Sequence, residues 1–451
     1  MALEDPQIAT AMPSVFPINQ LPREILAEIF WNSMPEETPA ELPVQMWRRA
    51  APLLPCSVCS SWRELALAMP ELWSSVGIII RNPDMDPSTT ADVINTWLKR
   101  SGSLPLTLCL GQLSLVYDNP RLRSKPALVK SILSVFCSHS SRWRDVSLYL
   151  YDTRSLLLPR VNTPLLRSFD LAGIMDKPIR FPFRGSSCLT QLSWPFPLDA
   201  SKIPHIPWRQ ISLLSISSGM TLFSALEMIR SCPRLEEFTV DCSGFDEVVD
   251  LPGEPIVENF RLRRLKLNVY EDSSPLLRAI RLPALEEFNY HFPEVVDEFY
   301  AAVRQSLLDF LTRSNCKLKK LGLSGCKFSA DEFLECLEHE AFETIQELSI
   351  TEQPELTDEV LLRLTYPPSP TSSRTLLPKL THLTLEYCLN TSPGTLGEMV
   401  SSRYYPETGE VEELEEFVLS VETLDEEDET ILEDLAADGL DAKIEILSLH
   451  R

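Results

Sequence analysis

Glycine is scarce, with fourteen in 451 residues. Neither G-x-x-x-x-G-K-[ST] nor G-x-G-x-x-G occurs, so the loops that cradle nucleotide phosphates have no counterpart here. The six histidines, His139, His205, His291, His339, His382 and His450, lie apart from any Ser or Cys nucleophile motif, which leaves triad-type chemistry without machinery. Cys56 and Cys59 form a lone C-x-x-C, and zinc needs about four ligands. The expectation is therefore core packing, with no metal and no cofactor. Bases are outnumbered, 41 against 65 acids, and a net charge of −24 argues against broad affinity for nucleic-acid backbones. No apolar run approaches the roughly 20 residues that span a bilayer, and MALEDPQIATAMPSVFP carries acids where a secretory leader carries bases. Eleven cysteines, odd in number and scattered from Cys56 to Cys388, suit reduced thiols better than a disulfide framework. These absences predict a cytoplasmic or nuclear chain with no membrane and no nucleic-acid partner.

Present in abundance is apolar residue content, 44%, enough for a large core in two or three domains or one elongated array. Charge is segregated. Residues 1–96 hold 5 bases and 12 acids, 97–230 hold 17 and 7, and 231–451 hold 19 and 46. The basic stretch includes RLRSK (121–125) and Arg142-Trp143-Arg144, but Trp143 falls on an inward repeat position, which favours attraction to an acidic protein surface over stacking on bases. From Tyr404 to Ala442 there are 16 acids and no base, read first as a solvated flank and second as a site for a basic partner.

One stretch names a partner by its pattern. In INQLPREILAEIF, Leu21, Ile25, Leu26, Ile29 and Phe30 recur at helical spacing, with Pro22 where a first turn tolerates it. Val58, Cys59, Trp62, Leu65 and Ala66 repeat the spacing in CSVCSSWRELALAMPELW, and Leu72-Trp73 follow a Met69-Pro70 break. Short helices this rich in Leu, Ile and Trp exceed what some sixty residues bury among themselves, since small domains bury only about 60% of their surface. In order, Leu21, Pro22, Glu24, Ile25 and Leu26, then Val58, Cys59, Trp62, Arg63, Glu64, Leu65, Leu72 and Trp73, resemble the two halves of the F-box motif. Between them, 34–54 is longer and more proline-rich than in that family, and the central helix is not placed. The resemblance implies docking on a Skp-type adaptor, and through it a cullin, by Leu21, Pro22, Ile25, Leu26, Ile29, Phe30, Val58, Cys59, Trp62 and Leu65.

Further on, the template L-x-x-L-x-L recurs as WRDVSL (143), LRSFDL (166), LTQLSW (189), WRQISL (208), LEEFTV (235), LRRLKL (262), LEEFNY (285), LKKLGL (318), IQELSI (345), LTHLTL (380), LEEFVL (414) and IEILSL (444), with PLTLCL (105) an extra first strand. Starts lie 23, 23, 19, 27, 27, 23, 33, 27, 35, 34 and 30 apart, an irregular leucine-rich-repeat signature. Positions 1, 4 and 6 point into a core, and 3 and 5 point out along a parallel sheet. Cys326 and Cys388 take the position that caps backbone after the strand, while YPPSPTSSRT (366–375) reads as a projecting loop.

The predicted fold class is α/β: a small helical F-box-like domain followed by a curved leucine-rich-repeat solenoid with a parallel concave sheet and convex helices and loops. Its parts are a disordered lead (1–16), the helical domain (17–80), a linker and connecting helix (81–96) and the repeats (97–451). Position 3 of seven successive repeats reads Glu237, Arg264, Glu287, Lys320, Glu347, His382 and Glu416, alternating in sign across strands about 4.8 Å apart. With Lys266, Asn289, His291 and Glu386 this row is both an ion-pair ladder and a groove for a protein target of unknown identity. The function expected is that of a non-catalytic, target-recognising subunit of an SCF-type ubiquitin ligase. Alternatives are a repeat scaffold whose helices only cap it, and a GTPase-activating repeat protein, which needs an exposed Arg or Asn that the repeats do not single out.

Overall fold

Period-two alternation requires that, in each template, positions 4 and 6 share a covered face while 3 and 5 share the other. The computed structural model realises that alternation in a parallel sheet. It describes residues 21–34, 52–80, 85–112, 126–150, 159–173, 182–244, 255–292, 300–352, 356–367, 375–406 and 411–446. The lead 1–16, most of the insertion (35–51), RLRSK and most of the 366–375 segment lie outside these residues. The chain is α/β, with twelve α-helices among the described residues, none of them long and apolar enough to cross a membrane. It divides into two units, Met1–Leu165 and Leu166–Arg451.

The first unit runs α1 (Arg23–Asn32), α2 (Leu53–Val58), α3 (Ser60–Leu67), β1 (Ser75–Ile80), α4 (Pro87–Arg100), β2 (Leu106–Gln112), α5 (Pro126–Ser138), β3 (Trp143–Tyr149) and the short β4 (Val161–Asn162). Strands β1, β2 and β3 pair in parallel in that order. Strand β1 corrects the sequence reading, which left 75–80 inside the helical domain: SVGIII is a buried β-branched run, not an alternating one, and carries no period. Helix α4 starts at Pro87, with Asp86 capping Thr89 N–H at 2.7 Å and the proline at the first turn.

The second unit holds β5 (Ser168–Ala172), β6 (Phe183–Arg184), β7 (Gln191–Trp194), β8 (Leu213–Ile216), α6 (Leu222–Ser231), β9 (Glu237–Cys242), β10 (Val257–Glu258), β11 (Arg264–Val269), α7 (Ser274–Ala279), β12 (Ile280–Arg281) and β13 (Glu287–His291). It continues through α8 (Tyr300–Ser314), β14 (Lys320–Ser324), α9 (Ala330–Leu337), β15 (Glu347–Thr351), α10 (Asp358–Leu364), β16 (His382–Glu386), α11 (Thr395–Tyr404), β17 (Glu416–Val421), α12 (Glu426–Asp438) and β18 (Asp441–Ile446). Its main sheet has the order β5-β7-β8-β9-β11-β13-β14-β15-β16-β17-β18, every described pairing parallel. Leu235, Phe238 and Val240, and their counterparts Leu285, Phe288 and Tyr290, are all at or below 2% exposure, as the template requires.

Two repeats are set differently from the sequence reading. Around 208 the strand is Leu213–Ile216, so Ile211, Leu214 and Ile216 go inward and Leu213 outward, opposite Gln191 and Glu237. Starting that repeat at 211 turns spacings of 19 and 27 into 22 and 24. The last strand is Asp441–Ile446, paired Phe417 to Ala442 and Leu419 to Ile444, so Asp441 stands at position 3 where the expected template put Ile446, a shift of five residues. Around 208 two overlapping apolar triplets fit the same template, whereas at the last repeat the frame used has Gly439 at position 1 and Ala442 and Ile444 at positions 4 and 6.

Arginines near helix ends join successive segments by donating to carbonyls. Arg142 reaches Leu104 O at 2.8 Å and Arg313 reaches Ile280 O at 3.0 Å. Arg403, 1% exposed, donates to Leu364 O (2.7 Å), Leu376 O (2.6 Å) and Leu377 O (2.9 Å). Burial pulls its pKa down to about 10, so the guanidinium stays charged at neutral pH without a carboxylate beside it. A five-donor fork suits this role because chain reversals leave several carbonyls together. Cys326 and Cys388 are buried, and Cys326 Sγ lies 3.7 Å from Ser324 O, in keeping with their capping position.

Candidate functional site

Two surfaces carry the residues singled out from sequence. The first is on α1–α3. Leu26 and Phe30 turn inward, 5% and 1% exposed, and the Phe30 ring lies 5.0 Å from that of Trp62. Leu72 and Trp73 are fully buried; Trp73 Nε1 donates to Ala66 O at 2.9 Å, and the Arg100 guanidinium sits 4.5 Å over its ring. Trp97 packs edge-on against Trp73 at 4.9 Å and donates to Ser75 O at 3.2 Å. The tryptophans thus fasten the helices to β1 and α4. Cys59 accepts from Trp62 N–H at 3.5 Å as the cap of α3, and Arg63 Nε donates to Cys56 O at 2.7 Å, holding α3 to α2.

That internal core leaves other apolar side chains in solvent. Ile25 (43%) and Ile29 (39%) form an i,i+4 stripe on α1, and Leu54 (50%) and Val58 (55%) form another on α2. Trp31 (53%) and Leu67 (38%) add to them. Of the remaining residues proposed to dock, Pro22 is exposed and Leu21, Cys59, Trp62 and Leu65 are half-buried. The ten therefore split: Leu26 and Phe30 hold the unit together, while Ile25, Ile29, Pro22 and Val58 face out. Leu54, Trp31 and Leu67 were missed by the sequence reading, although Leu54 and Val58 already carried the helical spacing.

The second surface is the open face of the second unit's sheet. The register aligns Glu237, Arg264, Glu287, Lys320, Glu347, His382 and Glu416 as direct cross-strand neighbours, the row expected from position 3. Arg264 pairs with Glu237, Lys320 with Glu347 at 2.6 Å, His382 with Glu416 at 3.8 Å, and Lys443 with Glu416 at 2.5 Å. Each partner is at least 30% exposed at its side chain, so such pairs contribute about 0–1 kcal/mol each and order the surface more than they stabilise it. Two residues further along each strand lie Thr239, Lys266, Asn289, Gly322, Ser349 and Thr384, and two further again Asp241, Asn268, His291, Ser324, Thr351 and Glu386.

These rows frame two hollows. One, of about 240 Å³, is lined by Glu287, Asn289, Lys320, Glu347, Ser349, His382, Thr384 and Glu416 among others, and is acid-rich. The other, of about 410 Å³, is lined by Lys266, Asn268, Asn289, His291, Gly322, Ser324, Ser349 and Thr351 with the edges of Tyr290 and Leu323. His291 Nδ1 and Ser324 Oγ are 2.8 Å apart, and Thr351 Oγ1 donates to Glu386 Oε2 at 3.2 Å. All eleven residues of the expected groove thus lie on this face. No group of three or more His, Cys, Asp or Glu is placed to hold a metal among the described residues.

Compared with known proteins, the chain matches no family model and no curated protein.

Proposed function

We propose that this chain is a target-recognising subunit of an SCF-type ubiquitin ligase. Helices α1–α3 dock on a Skp-type adaptor, and the parallel sheet, read as the concave face of an irregular leucine-rich-repeat solenoid, holds the target protein. The observation that carries the reading is the pair of uncovered stripes, Ile25/Ile29 and Leu54/Val58, within or beside the F-box-like motif, while Leu26, Phe30, Leu72 and Trp73 form a core. A helical unit that packs Leu26, Phe30 and Trp73 and still presents four large aliphatic side chains has the form of a surface built for a second chain. The ladder and the hollows beside it support target capture. A groove of alternating charges recognises by complementarity more than by gross affinity.

On this reading the protein does no chemistry; it raises the local concentration of its target beside transfer machinery supplied by other subunits. The working compartment is cytoplasm or nucleus. Affinity purification of the full chain tests the reading directly. Recovery of adaptor and cullin supports it, and recovery of neither returns the helices to a purely structural role.

A further inference from the structure

The open face of the sheet compensates nearly all of its own positive charge. Arg264, Lys320 and Lys443 each have a carboxylate partner on the neighbouring strand, and His382 Nε2 lies 3.8 Å from Glu416. Lys266 does not: it is exposed, and among the described residues no carboxylate lies within ion-pair reach of it. It stands at the larger hollow, whose lining contains no Asp or Glu, whereas the adjoining hollow carries Glu287, Glu347 and Glu416. The floor is formed by Gly322, at position 5 of its repeat, with the Asn289 amide lying over it. A Cβ there would collide with Asn289 Oδ1, so the glycine admits the Asn289 amide, whose Nδ2 is held by Glu287 Oε1 at 2.8 Å. Hydroxyls of Ser324, Ser349 and Thr351 complete the lining.

A lone unpaired cation among neutral hydrogen-bonding groups is a site for one negative charge. We propose that the hollow over Gly322 receives an Asp or Glu side chain of the target, with Lys266 as its counter-charge. The proposal rests on the reading of this sheet face as the target-binding surface and adds the chemistry of the anchor. One formal positive charge matches a carboxylate; a phosphate, near −2 at neutral pH, would meet a single lysine under the field of a chain of net charge −24. The acid-rich hollow next to it repels the same group, and so fixes which way along the sheet a bound segment lies.

The probe is an array of short random peptides, with phosphoserine included at every position, read out with the full chain as wild type, Lys266→Met, Lys266→Glu and Glu347→Lys, each first checked for an unchanged melting profile. Asp or Glu should be enriched at one position, Lys266→Met should weaken those peptides about tenfold, and Lys266→Glu should exchange the preference for Lys or Arg. Peptides that respond to Glu347→Lys but not to either Lys266 change would overturn the anchor and leave the target-binding face standing. Phosphoserine outranking Asp and Glu at the Lys266-dependent position would overturn the carboxylate assignment. Enrichment indifferent to every variant, or none at all, would remove both the anchor and the reading on which it rests.

Discussion

Replacing Ile25 and Val58 together by Glu separates docking from folding. Both are about half exposed, 43% and 55%, so a glutamate at either place keeps its carboxylate in water in the free chain, and Glu is a good helix former. In a complex the same positions lose that water. Full burial of a large aliphatic side chain is worth about 1.5–3 kcal/mol, and roughly half of each is already covered, leaving about 0.7–1.5 kcal/mol each to be gained at the interface. Losing both removes about 1.5–3 kcal/mol, and forcing carboxylates against apolar surface adds a similar penalty. At about 1.4 kcal/mol per tenfold, affinity should fall at least ten- to a hundredfold. Titration of purified Skp-type adaptor by calorimetry measures it, and a melting temperature within a few degrees of wild type shows the fold retained. Leu26→Asp is a poorer probe, because Leu26 is 5% exposed and the change disrupts the helical unit itself. Unchanged adaptor affinity with an intact fold would refute the assignment of these stripes.

Other perturbations test the framework. Arg403→Met should destabilise the chain by about 2–4 kcal/mol in chemical denaturation, because it strands three carbonyls that the guanidinium serves, and Arg403→Lys should recover only part of that loss. Lys320→Ala should cost less than about 1 kcal/mol, since its pair with Glu347 is solvent-exposed; a larger loss would mean the ladder supports the sheet. Asp428 is buried, accepts from Gly397 N–H at 2.6 Å and faces Asp425; burial first, then the hydrogen bond to that neighbouring carboxyl, raises its pKa to about 6. A carboxyl raised on folding gives stability that is full below about 4 and lost as pH climbs through about 6, with Asp425, whose pKa is lowered, opposing it at the acid end. Asp428→Asn should therefore melt above wild type at pH 7 by a margin that closes toward pH 5, and a margin independent of pH would show that the Asp428 carboxyl titrates alike in the folded and unfolded chain.

How far the chain could be read in advance differs from element to element. The strands from Glu237 to Glu416 were legible because each has one apolar alternation and no competing frame, and their register followed from repetition, which placed the ladder residue by residue. At WRQISLLSI two frames overlap, and which one is used depends on Leu214 and Ile216 meeting neighbouring strands; at the last repeat the more apolar frame from 444 is passed over because Ala442 and Ile444 pair opposite Phe417 and Leu419. Strand β1 has no period because it is covered on both faces.

The sequence by itself determined the parallel α/β alternation, the line of charges across seven strands and the grouping of greasy helices near the front of the chain, because these depend on spacing alone. Only the tertiary structure decided which member of each greasy pair is consumed by the chain's own core, leaving Ile25 and Ile29 out while Leu26 and Phe30 go in. It also decided that Arg264 is neutralised across its strand whereas Lys266, two residues on, faces an acid-free hollow. Both outcomes hinge on what stands a few ångströms away in space, and neighbours contributed by distant segments leave no mark on local periodicity.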